Sequence, residues 1–266
     1  MPERPGPAEA AREIVRQRFP DARAAWLGGG SARGVVSATS DLDITVLLAG
    51  EPAPFRESAH SGSWPVELFV HTESSLAYYR GKDLTERRPT MLRLVAESVV
   101  LVDTDGVGER LQRDCAAQVL AGPAELSTEE MATKRYAVTD LLMDLEGCSS
   151  SQECAVVGAA LWREAADLLL TGSRHWTGTG KWLLRELVSY ELQHGSSWAG
   201  ELHAGLTASV AGDGSPLVEV SDTVLALFGG RLFDGYRMSG DSPEPPGISG
   251  RAVEVSGDID GSGGKP

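Results

Sequence analysis

Cysteine is scarce: 266 residues hold three, Cys115, Cys148 and Cys154. They are odd in number, widely spaced and form no C-x-x-C pair, so neither a disulfide framework nor a zinc site is suggested, and a reducing compartment fits. Long hydrophobic runs are also missing. No uninterrupted apolar stretch approaches about 18 residues, and the N-terminus, MPERPGPAEAAREIV, has prolines and charges where a signal peptide needs an apolar core. A cytoplasmic protein with no membrane partner is expected. Basic residues are outnumbered, 24 Lys and Arg against 38 Asp and Glu, for a formal net charge of −14. Following a nucleic-acid backbone needs clustered Lys and Arg to release counterions, so this balance argues against nucleic acid and suits a small, even cationic, partner. The five histidines form no His-Glu-x-x-His or His-x-His pattern.

What is present divides into two halves. From Pro7 to Phe19, PAEAAREIVRQRF has a helix-starting proline and Ile14, Val15 and Phe19 at helical spacing. AAWL (24–27), ITVLL (44–48), PVELFV (65–70) and SVVLVD (98–103) read as strands, with a helix-like PTMLRLVAE just before the last. About four strands with helices are therefore expected up to residue 122. After Gly122 and Pro123 no strand pattern appears. Ser127 to Glu130 is a capping-box pattern that opens a helix to Gly147, and further helices are predicted near 151–170, 181–192, 197–210 and 216–228. This half, 123–237, reads as a helical bundle. From residue 238 the chain is rich in Gly, Ser, Pro and Asp, too poor in large apolar residues to offset its ordering entropy, and disorder is expected to 266.

The stretch GGGSARGVVSATSDLDITV, from Gly28 to Val46, looks like part of a phosphate site. A dinucleotide fingerprint fails, because Arg33 stands where its third glycine belongs. A P-loop fails as well: Gly180 and Lys181 in the helical half are preceded at the required position by His175 and followed by Trp182. A metal-dependent site remains. In an extended segment alternate side chains share a face, so Asp41 and Asp43 point together while Leu42 and Ile44 point into the core. Two hard oxygen ligands suit Mg²⁺, which completes its shell with waters and substrate phosphates. Gly29 and Gly30 let the backbone approach phosphate oxygens, with the hydroxyls of Ser31 and Ser40 beside them. Two metals about 4 Å apart need a third carboxylate on a neighbouring strand. Glu67 in PVELFV is the candidate; on spacing alone it reads equally as an acidic residue on the wet face of an antiparallel strand.

GGSARG (29–34), SDLDITV (40–46) and the later Val-Glu-Leu strand together resemble the signature of the polymerase-β-type nucleotidyltransferases. With the helical half, the chain to about residue 235 resembles the bacterial aminoglycoside nucleotidyltransferases. The resemblance implies an α+β fold, with an N-terminal nucleotidyltransferase domain over 1–122, built on a small mixed sheet, followed by the helical bundle. It implies Asp41 and Asp43 as metal ligands, Glu67 as third ligand or general base, and Gly30, Ser31 and Ser40 on the triphosphate.

Lys181 opens a helix after a Gly-Thr-Gly turn, where a lysine opposes the helix dipole unless an anion is near. In the resembling enzymes a lysine of the helical domain closes on the nucleotide's phosphates, and Lys181 matches it. Asp140, Asp144 and Glu146 form an acidic stripe, either a solvated helix face or, by the resemblance, a seat for substrate ammonium groups. Trp162, Trp176 and Trp182 read as core more readily than as ligand platforms. The expected activity is Mg²⁺-dependent transfer of a nucleoside monophosphate, AMP from ATP (or another NTP as donor), to a hydroxyl of a small molecule such as an aminoglycoside-like antibiotic or a biosynthetic intermediate. Two Mg²⁺ ions and a monomer or homodimer are expected. The alternatives are a toxin-like enzyme modifying tRNA or protein and a catalytically silent nucleotide-binding module.

Overall fold

The computed structural model describes residues 5–32, 34, 37 and 39–239. Arg33, and the tail expected to be disordered apart from residues 238 and 239, lie outside the described residues. The order is α1 (Pro7–Arg18), β1 (Ala24–Gly28), α2 (Gly29–Ala32), β2 (Leu42–Leu47), β3 (Phe55–Ser61), β4 (Trp64–His71), α3 (Glu73–Glu86), α4 (Thr90–Ala96), β5 (Val99–Asp103) and α5 (Val107–Ala121). Five helices follow: α6 (Thr128–Glu146), α7 (Ser151–Gly172), α8 (Lys181–His194), α9 (Trp198–Val210) and α10 (Ser215–Leu227). The fold is α+β, a mixed sheet with helices followed by a helical region. The described residues up to Tyr236 form one compact unit.

The sheet has the order β3-β4-β2-β1-β5. Its β2–β4 pair is parallel and the other three pairs are antiparallel. Strand alternation sorts the side chains onto two faces. Leu42, Ile44 and Val46, with Val66, Leu68 and Val70, pack under α1 against Ile14, Val15 and Phe19. On the other face Trp26 and Leu47 pack with Met91, Leu92 and Val95 of α4 and Val107, Leu111 and Cys115 of α5. Asp43 and Glu67 share the parity of this second face.

The strand β3 corrects the expectation of about four strands. FRESAHS has no apolar alternation because it is an edge strand, only half-covered along one side. Its pairing is set by the turn at Gly62, whose φ of 58° is one a glycine adopts freely. The capping box at α6 forms as expected: Glu130 N–H donates to the Ser127 hydroxyl, and Glu130 Oε2 accepts from Ser127 N–H. The three cysteines are free thiols. Among the described residues no helix is long and apolar enough to cross a membrane.

The helix α4 matters most for the site, and a buried carboxylate holds its start. Pro89, at the N-cap, has no side chain to offer. Asp83 of α3 takes over, accepting from Leu92 N–H at 2.8 Å. Burial pushes the Asp83 carboxyl up from 3.8 to about 6, against the pull of the α4 amides. A carboxyl raised on folding favours the folded state below its unfolded pKa and loses that contribution as pH rises through 6. Asp83→Asn keeps an acceptor for the amides without the charge. Its stability relative to the native protein should therefore rise between pH 4 and pH 7.5, by at most about 3 kcal/mol. Paired melts across that range check this, and a pH-independent difference would contradict it.

Candidate active site

Gly28, Asp43 and Glu67 stand in one row across three strands. Gly28 pairs with Asp43 in the antiparallel β1–β2 ladder, and Asp43 pairs with Glu67 in the parallel β2–β4 ladder. Adjacent strands in register put paired side chains on the same face, so the two carboxylates are neighbours. Asp41, two residues before Asp43 along an extended segment, is exposed at the same end. Two glycines make room. A Cβ at Gly28 would meet the Leu94 carbonyl oxygen at 3.0 Å, so glycine lets α4 settle on the strand end. Gly29 has φ +68°, and a Cβ there would overlap Asp43 Oδ2.

Electrostatics tie these residues together. Burial, then Asp41, then Glu67 push the Asp43 carboxyl up to about 6, while Arg56 and Lys181 pull it down. Crowded oxygen donors of this kind fit a hard divalent cation, whose charge relieves the repulsion. Among the described residues no group of three or more His, Cys, Asp or Glu side chains is placed to hold a metal ion. Arg56 on β3 donates to Glu67 Oε2 at 2.7 Å and lies over the Phe69 ring at 5.0 Å.

A cleft of about 330 Å³ opens in front of this row. The sheet supplies Gly29, Asp43, Arg56 and Glu67; α4 and the turn before it supply Arg88, Thr90, Arg93 and Glu97; the helical half supplies Thr177, Thr179, Trp182 and Glu186. Two contacts hold the far wall in place. Trp176 inserts into the core beneath α4 and α5 and donates from Nε1 to the Val119 carbonyl at 2.8 Å. Arg93 of α4 pairs through both terminal nitrogens with Glu186 of α8, whose side chain is 3% exposed. Arg93 also lies 3.3 Å from Glu97.

The structure sets Asp43 beside Glu67 in the cleft, whereas Lys181 is not part of the cleft lining. Lys181 is the exposed first residue of α8, close enough to Asp43 to act on its charge. Gly30 is exposed on the short α2 turn. Ser31 departs from the expected phosphate contact: it is 5% exposed, and its hydroxyl donates to the Asp41 carbonyl at 2.6 Å. A hydroxyl has one proton, so in this arrangement Ser31 holds the loop that carries Asp41 and has none to give a phosphate oxygen. Ser40 Oγ accepts from Ser37 N–H at 2.8 Å. The acidic stripe is not in the cleft lining, and Glu146 is paired with Arg231. Of the tryptophans, Trp176 is core, Trp162 packs against the bundle core, and Trp182 alone lines the cleft, with the Arg185 guanidinium 4.6 Å from its ring centre.

Arg56, Arg88 and the Arg93–Glu186 pair are absent from any sequence motif. The one local signal is Arg-Arg-Pro-Thr (87–90) ahead of a helix, which marks a turn and says nothing of what faces it.

Residues 8–87 match the family model described as the nucleotidyltransferase domain. Among solved structures the chain is similar to a nucleotidyltransferase-like protein from Exiguobacterium sibiricum, at 11% identity and a TM-score of 0.38, covering 83% of this chain and 80% of that one. No curated protein matches by sequence. The matched segment runs from α1 to Arg87 and contains every sheet residue of the site, Gly28 to Glu67. Residues 8–87 thus carry a nucleotidyltransferase domain, 80 of the chain's 266 residues.

Proposed function

We propose that the chain moves a nucleoside monophosphate, AMP from ATP, onto a hydroxyl group of a small molecule and releases pyrophosphate. The observation that carries this is the β2–β4 register, which sets Glu67 beside Asp43 in a cleft walled by both halves of the chain. Asp41 and Asp43, with Glu67 next to them, would hold Mg²⁺. Bound there, the metal supplies charge to the α-phosphate and to the leaving pyrophosphate.

The chain's own residues do the rest. The acceptor oxygen attacks the α-phosphorus in line, and the bond from that phosphorus to the bridging oxygen breaks with its electron pair on pyrophosphate. The acceptor's proton passes to Glu67, at the oxygen that Arg56 does not engage. Lys181 meets the β- and γ-phosphates from the helical wall, and the Gly29–Gly30 turn, with Ser40 beside it, lines the phosphate side. Ser31 contributes by holding the Asp41 backbone.

Incubation with each of the four NTPs and Mg²⁺ against a panel of hydroxyl compounds, read by mass spectrometry, tests this reading. An acceptor heavier by one nucleoside monophosphate is the expected product. NTP binding without any such product, across acceptors of every charge class, would point to a silent module instead.

A further inference from the structure

Among the described residues, Trp182 is the one large apolar side chain that the helical half contributes to the cleft lining. It is 36% exposed, although the residues around it on α8, Leu183 and Leu187, are buried in the bundle core. The turn before α8 fixes where the side chain leaves the backbone. Trp182 N–H donates to the Thr179 carbonyl at 3.0 Å. A Cβ at Gly178 would stand 2.9 Å from the Trp182 Cβ and 2.8 Å from its carbonyl carbon, so glycine lets the turn close on the base of the indole.

The ring is backed from outside the cleft. The Arg185 guanidinium, one helical turn on, lies 4.6 Å from the ring centre, within cation–π range. Arg185 is exposed and is not part of the lining, so the indole surface that faces the cleft stays free of it. Phe69, Pro89 and Leu94 give the rest of the lining an apolar share. Glu186, four residues beyond Trp182 on the same face of α8, is anchored by Arg93, so the helix presents the ring at a fixed place.

A rigidly held indole open to a cleft is a plate for a planar ring. Of the two substrates of a nucleotidyl transfer, the acceptor need contain no ring, whereas the nucleoside triphosphate always carries a planar base. Its phosphates belong with Asp43 and Glu67, and its base, joined to them through the ribose, lies further along the same cleft. Building on the nucleotidyl-transfer reading of this cleft, we propose that Trp182 stacks on the base of the nucleotide and is a binding residue for the donor. Every base has a π-face, so such a plate supplies affinity for nucleotides as a class and leaves the choice among bases to other groups.

The test titrates the full chain and Mg²⁺ with each of the four NTPs by calorimetry, in the native protein, Trp182→Ala and Trp182→Phe. The Kd of the tightest-binding NTP should weaken about tenfold or more in Trp182→Ala, and Trp182→Phe, which keeps a π-face, should recover most of the loss. The triphosphate of 2-aminopurine riboside gives a direct readout, because stacking quenches the fluorescence of its base. At saturating protein it should be quenched on the native chain and bright on Trp182→Ala. Equal NTP affinity in native protein and Trp182→Ala, equal losses in the alanine and phenylalanine variants, or equal 2-aminopurine fluorescence on native protein and Trp182→Ala would each overturn the proposal. If Trp182→Ala spares the NTPs and raises KM for the acceptor, the plate serves the acceptor and the proposal is likewise overturned. Failure of the native protein to bind any NTP would count against nucleotidyl transfer itself. Melting curves of both variants exclude unfolding as the cause.

Discussion

Asp43→Asn should lower kcat for nucleotidyl transfer by at least ~10³-fold while the protein stays folded. The side chain stands between Gly28 and Glu67 in the row of strand partners, half-buried, with Gly29 folded against it. Asparagine fills the same space and keeps one acceptor oxygen, so packing is conserved. What it loses is the charge that would hold a divalent cation over the α-phosphate. Metal coordination there stabilises transition-state charge by several kcal/mol, and each 1.36 kcal/mol is a factor of ten in rate. Stability should move the other way. Asp43 lies among the like charges of Asp41 and Glu67, and removing one of three relieves the others. Without divalent cation, the melting temperature should equal or exceed that of the native protein. Single-turnover kinetics beside thermal melts check both statements, and native turnover in Asp43→Asn would place the chemistry elsewhere.

Arg93→Met should be the most damaging single change to stability, costing about 3–5 kcal/mol. It leaves Glu186, 3% exposed, inside the contact between α4 and α8 with its main partner gone. His175 is nearby, its Nε2 3.7 Å from Glu186. Burial, then His194 and Arg93, push that imidazole down to about 4, so at pH 7 it is neutral and does not replace the arginine. The expected fall in melting temperature is ~6–20 °C for a unit of this size. The double variant Arg93→Met/Glu186→Leu removes both charges and substitutes apolar volume, and it should recover most of the loss. If single and double variants melt alike, lost packing rather than an unpaired charge is responsible. Lys181 and Trp182 occupy the first turn of the helix that Glu186 anchors, so the single variant should also raise KM for the nucleotide.

Much of the row of carboxylates is legible in the sequence because it follows from local rules. The spacing of Asp41 and Asp43 obeys strand alternation, and Leu42 and Ile44 are fully buried, as that alternation requires. Glu67 needed register as well as alternation, and register depends on how β2 and β4 pair across the 16 residues of chain between Leu47 and Trp64. The helical half was readable because α6 to α10 carry apolar residues at helical spacing and α6 begins with a capping box. The edge strand β3 and the helix α3 were not. β3 is only half-covered, and α3 is capped by Thr72 with Ser75 in place of the usual glutamate. Arg93 belongs to a contact between segments far apart in sequence, meeting Glu186 across 93 residues. Such pairings exist only once the chain has folded. Ser31 shows the opposite limit: its residue type fitted a phosphate contact, and its hydrogen bond to Asp41 gives it a supporting position instead.

The most direct measurement follows the label from ATP carrying ³²P at either the α- or the γ-position, with Mg²⁺ and an acceptor identified by mass spectrometry. Attack at the α-phosphorus predicts α-label in the acceptor product, γ-label in released pyrophosphate, and neither transfer in Asp43→Asn. Label from the γ-position on the acceptor, with ADP released, would contradict nucleotidyl transfer, because the wrong phosphorus would have been attacked.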